Sequence, residues 1–580
     1  MKKKFLFVLS CLIALGKLQV HWGGIRVQGL SWGSFLLSIL ITLSYPQVYG
    51  QSLPVGTQVM EDAFRRDQLT GNFDNSVSFT VRPIFPSIIN DYKSSDSLQL
   101  KKKHFTFKLL PLSLNQQYNS DHPEGLNNGA MIPARGYQSM ISGGFFAKYR
   151  WLSVQLRPEL VYAENKEYQG FPDEHSTSVW YVYNEQILKT IDIPERFGTT
   201  AYKKAFWGQS SIRLTFNPIS IGLSNENLWW GPGMQNALLM TNNAPGFKHL
   251  TLNTVRPLRT YIGSFEGQLV GGRLESSGYP GVDSARLVKN GITYSTKPKD
   301  WRYFNGVVLT YQPRWLPGLF LGAARSYISY YNDLGKNIGD YFPIIVPMLK
   351  KALGNDEEDA VRRDELASAF VRWVAPELEV YCEFGREDHN YDISDFILEP
   401  EHSRAYIMGF RKMTSFLSRN DEYIDVQAEV SRLSTNLKTW NRTFFKAMGW
   451  YSHLQVLDGY THNGQFLGAG IGTSSNMQSV NISWVKKMKR IGLEFKRVTH
   501  DDNFWALTSG DPKTHWVDFG GGIVGEWDYK HFLFNTRVQL IGSNNYQFLY
   551  NPIPSELATW YQHGKVRYNV HAELGITYIF

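Results

Sequence analysis

Cysteine is nearly absent from this chain of 580 residues, where Cys11 and Cys382 are the only two. A disulfide scaffold and a four-cysteine metal site are therefore excluded. Long apolar runs are missing too. Residues 5–15 and 35–43 are the apolar stretches near the start, and both fall short of the ~20 residues a membrane-spanning helix needs. A strong charge of one sign is also lacking. Five cations and no acid lie in residues 1–50, which leaves +3 of the formal +8 for the rest. That excess is too small to point to nucleic acid.

What is present is aromatic residues at 14% and 50 glycines, with a mean hydropathy of only -0.30. Many strands and turns satisfy that balance, and so does a transmembrane β-barrel, whose strands are apolar on one side only. Lys2, Lys3 and Lys4 followed by the apolar residues 5–15 read as an export signal, and small residues near Gly50 place cleavage before Gln51. The second apolar run makes the leader a doubled one, spanning residues 1–50.

Residues 51–140 are irregular and are expected to form a small N-terminal periplasmic segment. Residues 54–69 suit a short helix that starts near Thr57 and ends at Gly71. Residues 76–86 and 105–111 read as short strands. From about residue 141 the pattern takes a period of two. At the C-terminus, Val566, Tyr568, Val570, Ala572, Leu574, Ile576, Tyr578 and Phe580 alternate with Arg567, Asn569, His571, Glu573, Gly575 and Thr577. Successive strand side chains point to opposite faces, so this is an apolar wall backed by a polar one. The same alternation runs through residues 378–385, 424–431, 491–496 and 532–541. A soluble β-sandwich or propeller also alternates. The leader, the strand length and the terminal aromatic favour an all-β transmembrane barrel occupying residues 141–580. At roughly 25 residues per strand and loop it would hold about 18 antiparallel strands. Residues 340–367 lose the period and read as a helical loop insertion over the external mouth.

The chain resembles the capsule assembly Wzi family of outer-membrane proteins, and most closely its Bacteroidetes-type branch. The resemblance is carried by Leu228-Trp229-Trp230-Gly231-Pro232-Gly233 with Thr241-Asn242-Asn243-Ala244-Pro245, and by Asp364-Glu365-Leu366-Ala367-Ser368 leading to Arg372-Trp373. Glu401-His402-Ser403-Arg404-Ala405-Tyr406, Gly459-Tyr460-Thr461-His462-Asn463-Gly464-Gln465 and Arg65-Arg66-Asp67-Gln68-Leu69 carry it as well. It implies an outer-membrane β-barrel with a small periplasmic helical part. It also implies a lectin-like role, in which surface loops hold capsular polysaccharide to the cell. The partners implied are that polysaccharide and outer-membrane lipid, with the protein a monomer.

The candidate polysaccharide contacts are Trp229, Trp230, Asn242, Asn243, Arg256, Glu266, Arg273, Glu275, Arg372, Trp373, Tyr381, Glu383, Asp388, His389, Glu401 and His402. Each has a bland alternative. Trp229 and Trp230 are adjacent, so a strand would aim them oppositely, and packing or an interfacial girdle suits them equally. Glu377, Glu379, Tyr381 and Glu383 share one face, with Arg372 and Arg404 near in sequence, and fit a lumen network of mutually neutralising charges. Asp388, His389, Glu401 and His402 lack a tight metal-ligand spacing and suit loop ordering, so neither a metal nor another cofactor is expected. Paired carboxylates recur throughout the chain and do not single out a glycosidase. The Gly-Leu-Ser-Trp-Gly run at 29–33 lies in the leader, outside any strand–turn–helix context. The expectation is therefore a polysaccharide-binding protein without enzymatic activity. A diffusion channel is the alternative, and an outer-membrane enzyme acting on glycan or lipid the next.

Overall fold

The alternating segments pair edge to edge until they close. A computed structural model describes residues 52–85, 99–102, 104–293, 296–342, 362–387, 397, 403–416, 419–435, 449–551 and 566–580. Eighteen antiparallel strands form one barrel. They are β1 (Phe105–Asn119), β2 (Gly136–Tyr149), β3 (Leu152–Leu156, resumed at Glu159–Ala163), β4 (Tyr202–Phe206, resumed at Ser211–Phe216), β5 (Ile219–Ser224) and β6 (Lys248–Thr254). Then follow β7 (Gly263–Leu274), β8 (Arg302–Pro313), β9 (Leu319–Tyr330), β10 (Arg363–Ala375), β11 (Leu378–Glu387) and β12 (Arg404–Phe416). The last six are β13 (Arg419–Arg432), β14 (Asn476–Lys486), β15 (Lys489–Thr499), β16 (Val517–Tyr529), β17 (Phe532–Asn544) and β18 (Val566–Tyr578). β18 pairs with β1, His571 opposite Asn119 and Tyr578 opposite Leu112, which removes the sheet edge.

The period of two decides which face meets lipid. On β18, Val566, Tyr568, Val570 and Leu574 are exposed, whereas Asn569 and His571 are buried. On β11, Val380 and Phe384 point out, and Glu379, Tyr381 and Glu383 point in. Short turns join β2–β3, β8–β9, β10–β11, β14–β15 and β16–β17 at one end, and long loops occupy the other. In outer-membrane barrels short turns face the periplasm and long loops the exterior. Aromatic side chains ring the short-turn end, several under cations: Lys489 lies 4.4 Å from the Trp527 ring and Lys530 5.3 Å from Tyr529. This is the interfacial girdle that anchors a barrel in a bilayer.

Two boundaries differ from the sequence reading. The barrel begins at Phe105, so the limit expected at residue 140 falls inside β2. The register shift between Leu110 and Ser113 breaks the alternation of β1 and hides its length. The helical run expected to reach Ala367 is overturned at its end, because Arg363–Ala375 is β10, paired on both sides with β9 and β11. Ladder hydrogen bonds and the burial of Leu366 and Phe370 outweigh local helix propensity there. The rest of that insertion lies mostly outside the described residues, as does the leader.

The expected helix forms as α1 (Gln58–Leu69), with Thr57 at its N-cap. It lies within the barrel at the short-turn end. Leu69 packs on Phe320, Val374, Met413 and Val485, while Val59 and Ala63 meet Met488 and Leu533. The Leu69 carbonyl accepts from the Glu377 N–H in the β10–β11 turn at 2.9 Å. Charges fix its remaining face. Arg65 is paired with Glu379, and Asp62 takes Arg411 at 2.8 Å and Arg490 at 3.5 Å.

Candidate functional site

The barrel interior is filled from both ends. Residues 225–247, which join β5 to β6, fold inward and put Leu228, Trp230, Leu238, Leu239 and Met240 into the principal core. They meet the inward faces of β7 to β12 through Val270, Phe304, Val308, Ile328, Leu366, Phe370 and Tyr381. Residues 449–475 cover them with Trp450, Tyr451, Val456, Tyr460 and Leu467. Each large apolar side chain buried in this way contributes about 1.5–3 kcal/mol, so the inward loops are part of the folded core. The lumen keeps two small polar cavities, of about 90 and 120 Å³, beside α1. Asn535 and Glu573 line both.

Most of the candidate residues are absorbed by this plug. Trp229 and Trp230 pair with Val81–Arg82 in a short antiparallel ribbon. Trp230 is fully buried and donates its indole N–H to Gln268 Oε1 at 2.8 Å. Trp229 is covered by the Arg82 guanidinium, 4.1 Å from its ring. Neither offers a face to a sugar, because the ribbon turns both into the core. A Cβ on Gly306 would sit 2.7 Å from the Trp230 ring, so that close approach requires glycine. Gly231, at φ 125°, passes just as close to the Glu383 carboxylate.

Asn242 and Asn243 tie plug loops together. Asn242 accepts from Asn227 at 2.7 Å and donates to the Asn127 carbonyl at 2.8 Å. Asn243 donates to Thr241 Oγ1 at 2.6 Å and to the Gly468 carbonyl at 2.9 Å. Glu266 accepts the Ser78 N–H at 2.7 Å. Arg372 donates to Glu379 at 3.0 Å and to the Ser78 carbonyl at 2.9 Å. Tyr381 donates to Glu429 at 2.7 Å, and Glu383 accepts the Leu238 N–H at 3.2 Å. All four of these strand residues serve the lumen network that holds the plug. Arg256 lies toward the short turns, bonded to Asn217 Oδ1 at 2.6 Å. Trp373 is exposed on the outward, lipid side of β10. Asp388, His389, Glu401 and His402 lie outside the described residues. Among the described residues no group of His, Cys, Asp and Glu is arranged to hold a metal.

Arg273 and Glu275 behave differently: both reach the surface at the long-loop end. Arg273 Nε donates to Glu275 Oε1 at 2.5 Å, and its guanidinium lies 4.9 Å from the Trp301 ring. Trp301 stacks on Tyr331, with centroids 4.3 Å apart and planes at 20°. Tyr331 is 43% exposed. The ridge continues through backbone bonds. The Glu275 N–H donates to His462 Nδ1 at 3.0 Å, and the Asn463 N–H donates to the Glu275 carbonyl at 2.8 Å. Lys204 Nζ then reaches Asn463 Oδ1 at 3.1 Å. Burial, then Arg302 and Lys204, pushes His462 down to about 3, so it stands neutral as a hydrogen-bond acceptor. A cation over stacked rings, flanked by amide, ammonium and carboxylate, is chemistry suited to a polar ring with apolar C–H faces. Trp301, Tyr331, Lys204 and Asn463 were not identified as contacts from sequence. They lie on four separate segments, and only strand pairing brings them to one edge.

A family model described as Capsule assembly protein Wzi matches residues 136–540. Among solved structures, the chain is similar to Wzi of Escherichia coli, an outer-membrane protein described as involved in group 1 capsule assembly and as a carbohydrate-binding β-barrel. That likeness covers 92% of this chain and 100% of the other at 14% identity, with a TM-score of 0.56. OccAB4 of Acinetobacter baumannii aligns over 82% of this chain and 98% of its own at 8% identity, with a TM-score of 0.37. No curated protein sequence matches the chain.

Proposed function

Since the chain belongs to the capsule assembly Wzi family, we propose that it is an outer-membrane lectin that binds surface polysaccharide and helps hold it to the cell. The observation that carries this reading is the plugged barrel with a solvent-facing ridge of stacked aromatics and charges at its long-loop end. Among the described residues the plug fills the lumen, which argues against the diffusion channel. The ridge offers what a glycan needs: the outer face of Tyr331 for stacking, and Arg273, Glu275, Lys204 and Asn463 for hydroxyl or carboxylate groups. We take the binding to be non-enzymatic, in keeping with a structural relative described as a carbohydrate-binding barrel. The working unit is a single exported barrel.

The experiment is a clean deletion with polymer measured in cells and in medium. Polysaccharide made in normal amounts but shed into the medium is the expected result. Polysaccharide that stays fully cell-bound in the deletion sinks the proposal.

A further inference from the structure

The outward face carries a charged feature that the sugar ridge does not use. On β9 to β13 and on β15, the lipid-facing row carries an arginine in its half toward the long loops. Arg325 shares its face with exposed Leu321, Arg363 with Trp373, Arg386 with Val380 and Phe384, and Arg404 with Met408 and Phe410. Arg432 likewise continues the face of Val430, and Arg497 that of Ile491, Leu493 and Phe495. On β14 the corresponding residue is Gln478, external to Val480 and Ile482. These six arginines form an arc along the external edge of the apolar belt. Lys203 on β4, Lys248 on β6 and Arg273 on β7 extend the cationic level, whereas Phe519, Tyr568 and Tyr118 occupy it on β16, β18 and β1. Among the described residues the cations thus stop at β16, and on β13 to β15 they flank a neutral Gln478.

Its partners narrow what it meets. Arg325 is paired with Glu365 across the strands. Arg386 stands directly opposite Arg404 in the ladder, and each has partners of its own within the chain. Toward β15, Gln478 stands opposite Arg497 and is flanked on its other side by Val430. Arg497 Nη1 donates to Gln478 Oε1 at 2.9 Å, and Arg432 Nε donates to Ser434 Oγ at 3.3 Å. Both contacts are to neutral oxygens, so each guanidinium keeps its full charge. Asp502, on the loop above, is held by Asn476 at 2.6 Å and His515 at 2.7 Å.

We propose that this arc, centred on Arg432, Gln478 and Arg497, docks phosphate-bearing headgroups of outer-leaflet lipid. The guanidinium fork matches phosphate oxygens two at a time, and charge complementarity acts strongly at a membrane surface. Direction selects lipid over polysaccharide. The side chains extend sideways, in line with the last apolar row, and β8 to β12 separate Arg432 from Arg273 of the ridge. The lipid's acyl chains would lie along Phe495, Leu493 and Val480 directly below.

The test uses the full barrel in detergent, titrated with lipid A and followed by native mass spectrometry. Parallel arms use dephosphorylated lipid A and inorganic phosphate. The wild type is expected to retain lipid A and to lose it without the phosphates. Arg432→Gln with Arg497→Gln should weaken retention roughly tenfold to thirtyfold, and the Arg→Lys pair should weaken it less. Lys412→Gln with Lys486→Gln, at the opposite rim, should match the wild type. Heat-modified gel mobility checks that each variant is a folded barrel. Equal retention by the Gln variant, or of the dephosphorylated lipid, overturns the proposal. So does competition by inorganic phosphate alone, which would make this an anion site without lipid. Shed polysaccharide with unchanged lipid retention in the Gln variant overturns it too, and leaves the sugar ridge as a separate matter.

Discussion

Replacing Glu379 by Gln should release α1 from the barrel wall. Glu379 is fully buried and receives two guanidiniums. Arg65 of α1 donates from Nε at 2.9 Å, and Arg372 of β10 donates from Nε at 3.0 Å and Nη2 at 3.2 Å. The same arginines bind the plug: Arg372 holds the Ser78 carbonyl, and Arg65 reaches the Gly233 carbonyl at 3.5 Å. An amide removes the charge and turns an N–H₂ toward one donor, leaving two buried cations under-compensated. Breaking a buried ion pair from one side costs about 3–5 kcal/mol. That is a loss of order 10²–10⁴ in the closed-to-open ratio of the segment. Hydrogen exchange across residues 58–69 should accelerate by this factor, and planar-bilayer recordings should gain open events that the wild type lacks. Adding Arg65→Gln should recover part of the loss, since one unpaired cation then disappears. Exchange and silence identical to wild type in the single variant would show that the pair does not hold the plug.

Other outcomes follow from particular contacts. Gly306→Val should destabilise the core by about 1–3 kcal/mol through overpacking against Trp230, seen as a lower denaturation midpoint. Asp501 has its carboxyl raised to about 7, mainly by burial. Its folded value exceeds the unfolded one, so its contribution is complete below about pH 4 and is lost as pH rises through 7. Asp501→Asn should remove this fall from the protection factors of residues 500–516, measured after correction for the intrinsic exchange rate at each pH. His462 has the opposite sign. Its depressed folded value means stability is complete above about pH 6.5 and falls as pH drops toward 3, and His462→Gln should flatten the acid limb of the unfolding curve.

The barrel was legible because lipid and lumen impose a strict period of two, and β11, β17 and β18 keep it without a break. α1 was legible because Thr57 and Gly71 punctuate it. The plug was not. The apolar run at 238–240 between Asn-rich turns carries no local sign that it folds back into the lumen. For the same reason Trp229 and Trp230 read equally well as ligand contacts and as packing. Local sequence identified the charged pair Arg273 and Glu275 but not the aromatic pair beside them, because Trp301 and Tyr331 meet only through the β8–β9 ladder.

The central claim is that the ridge binds glycan while the plugged barrel only supports it. The most direct measurement is equilibrium binding of the cell's own purified surface polysaccharide to the isolated barrel, comparing wild type with Tyr331→Ala and with Arg273→Gln. The loss of one aromatic stack at this exposed position should lower affinity roughly twofold to tenfold, with the fold and the silent bilayer unchanged. Undiminished binding by both variants would contradict the account.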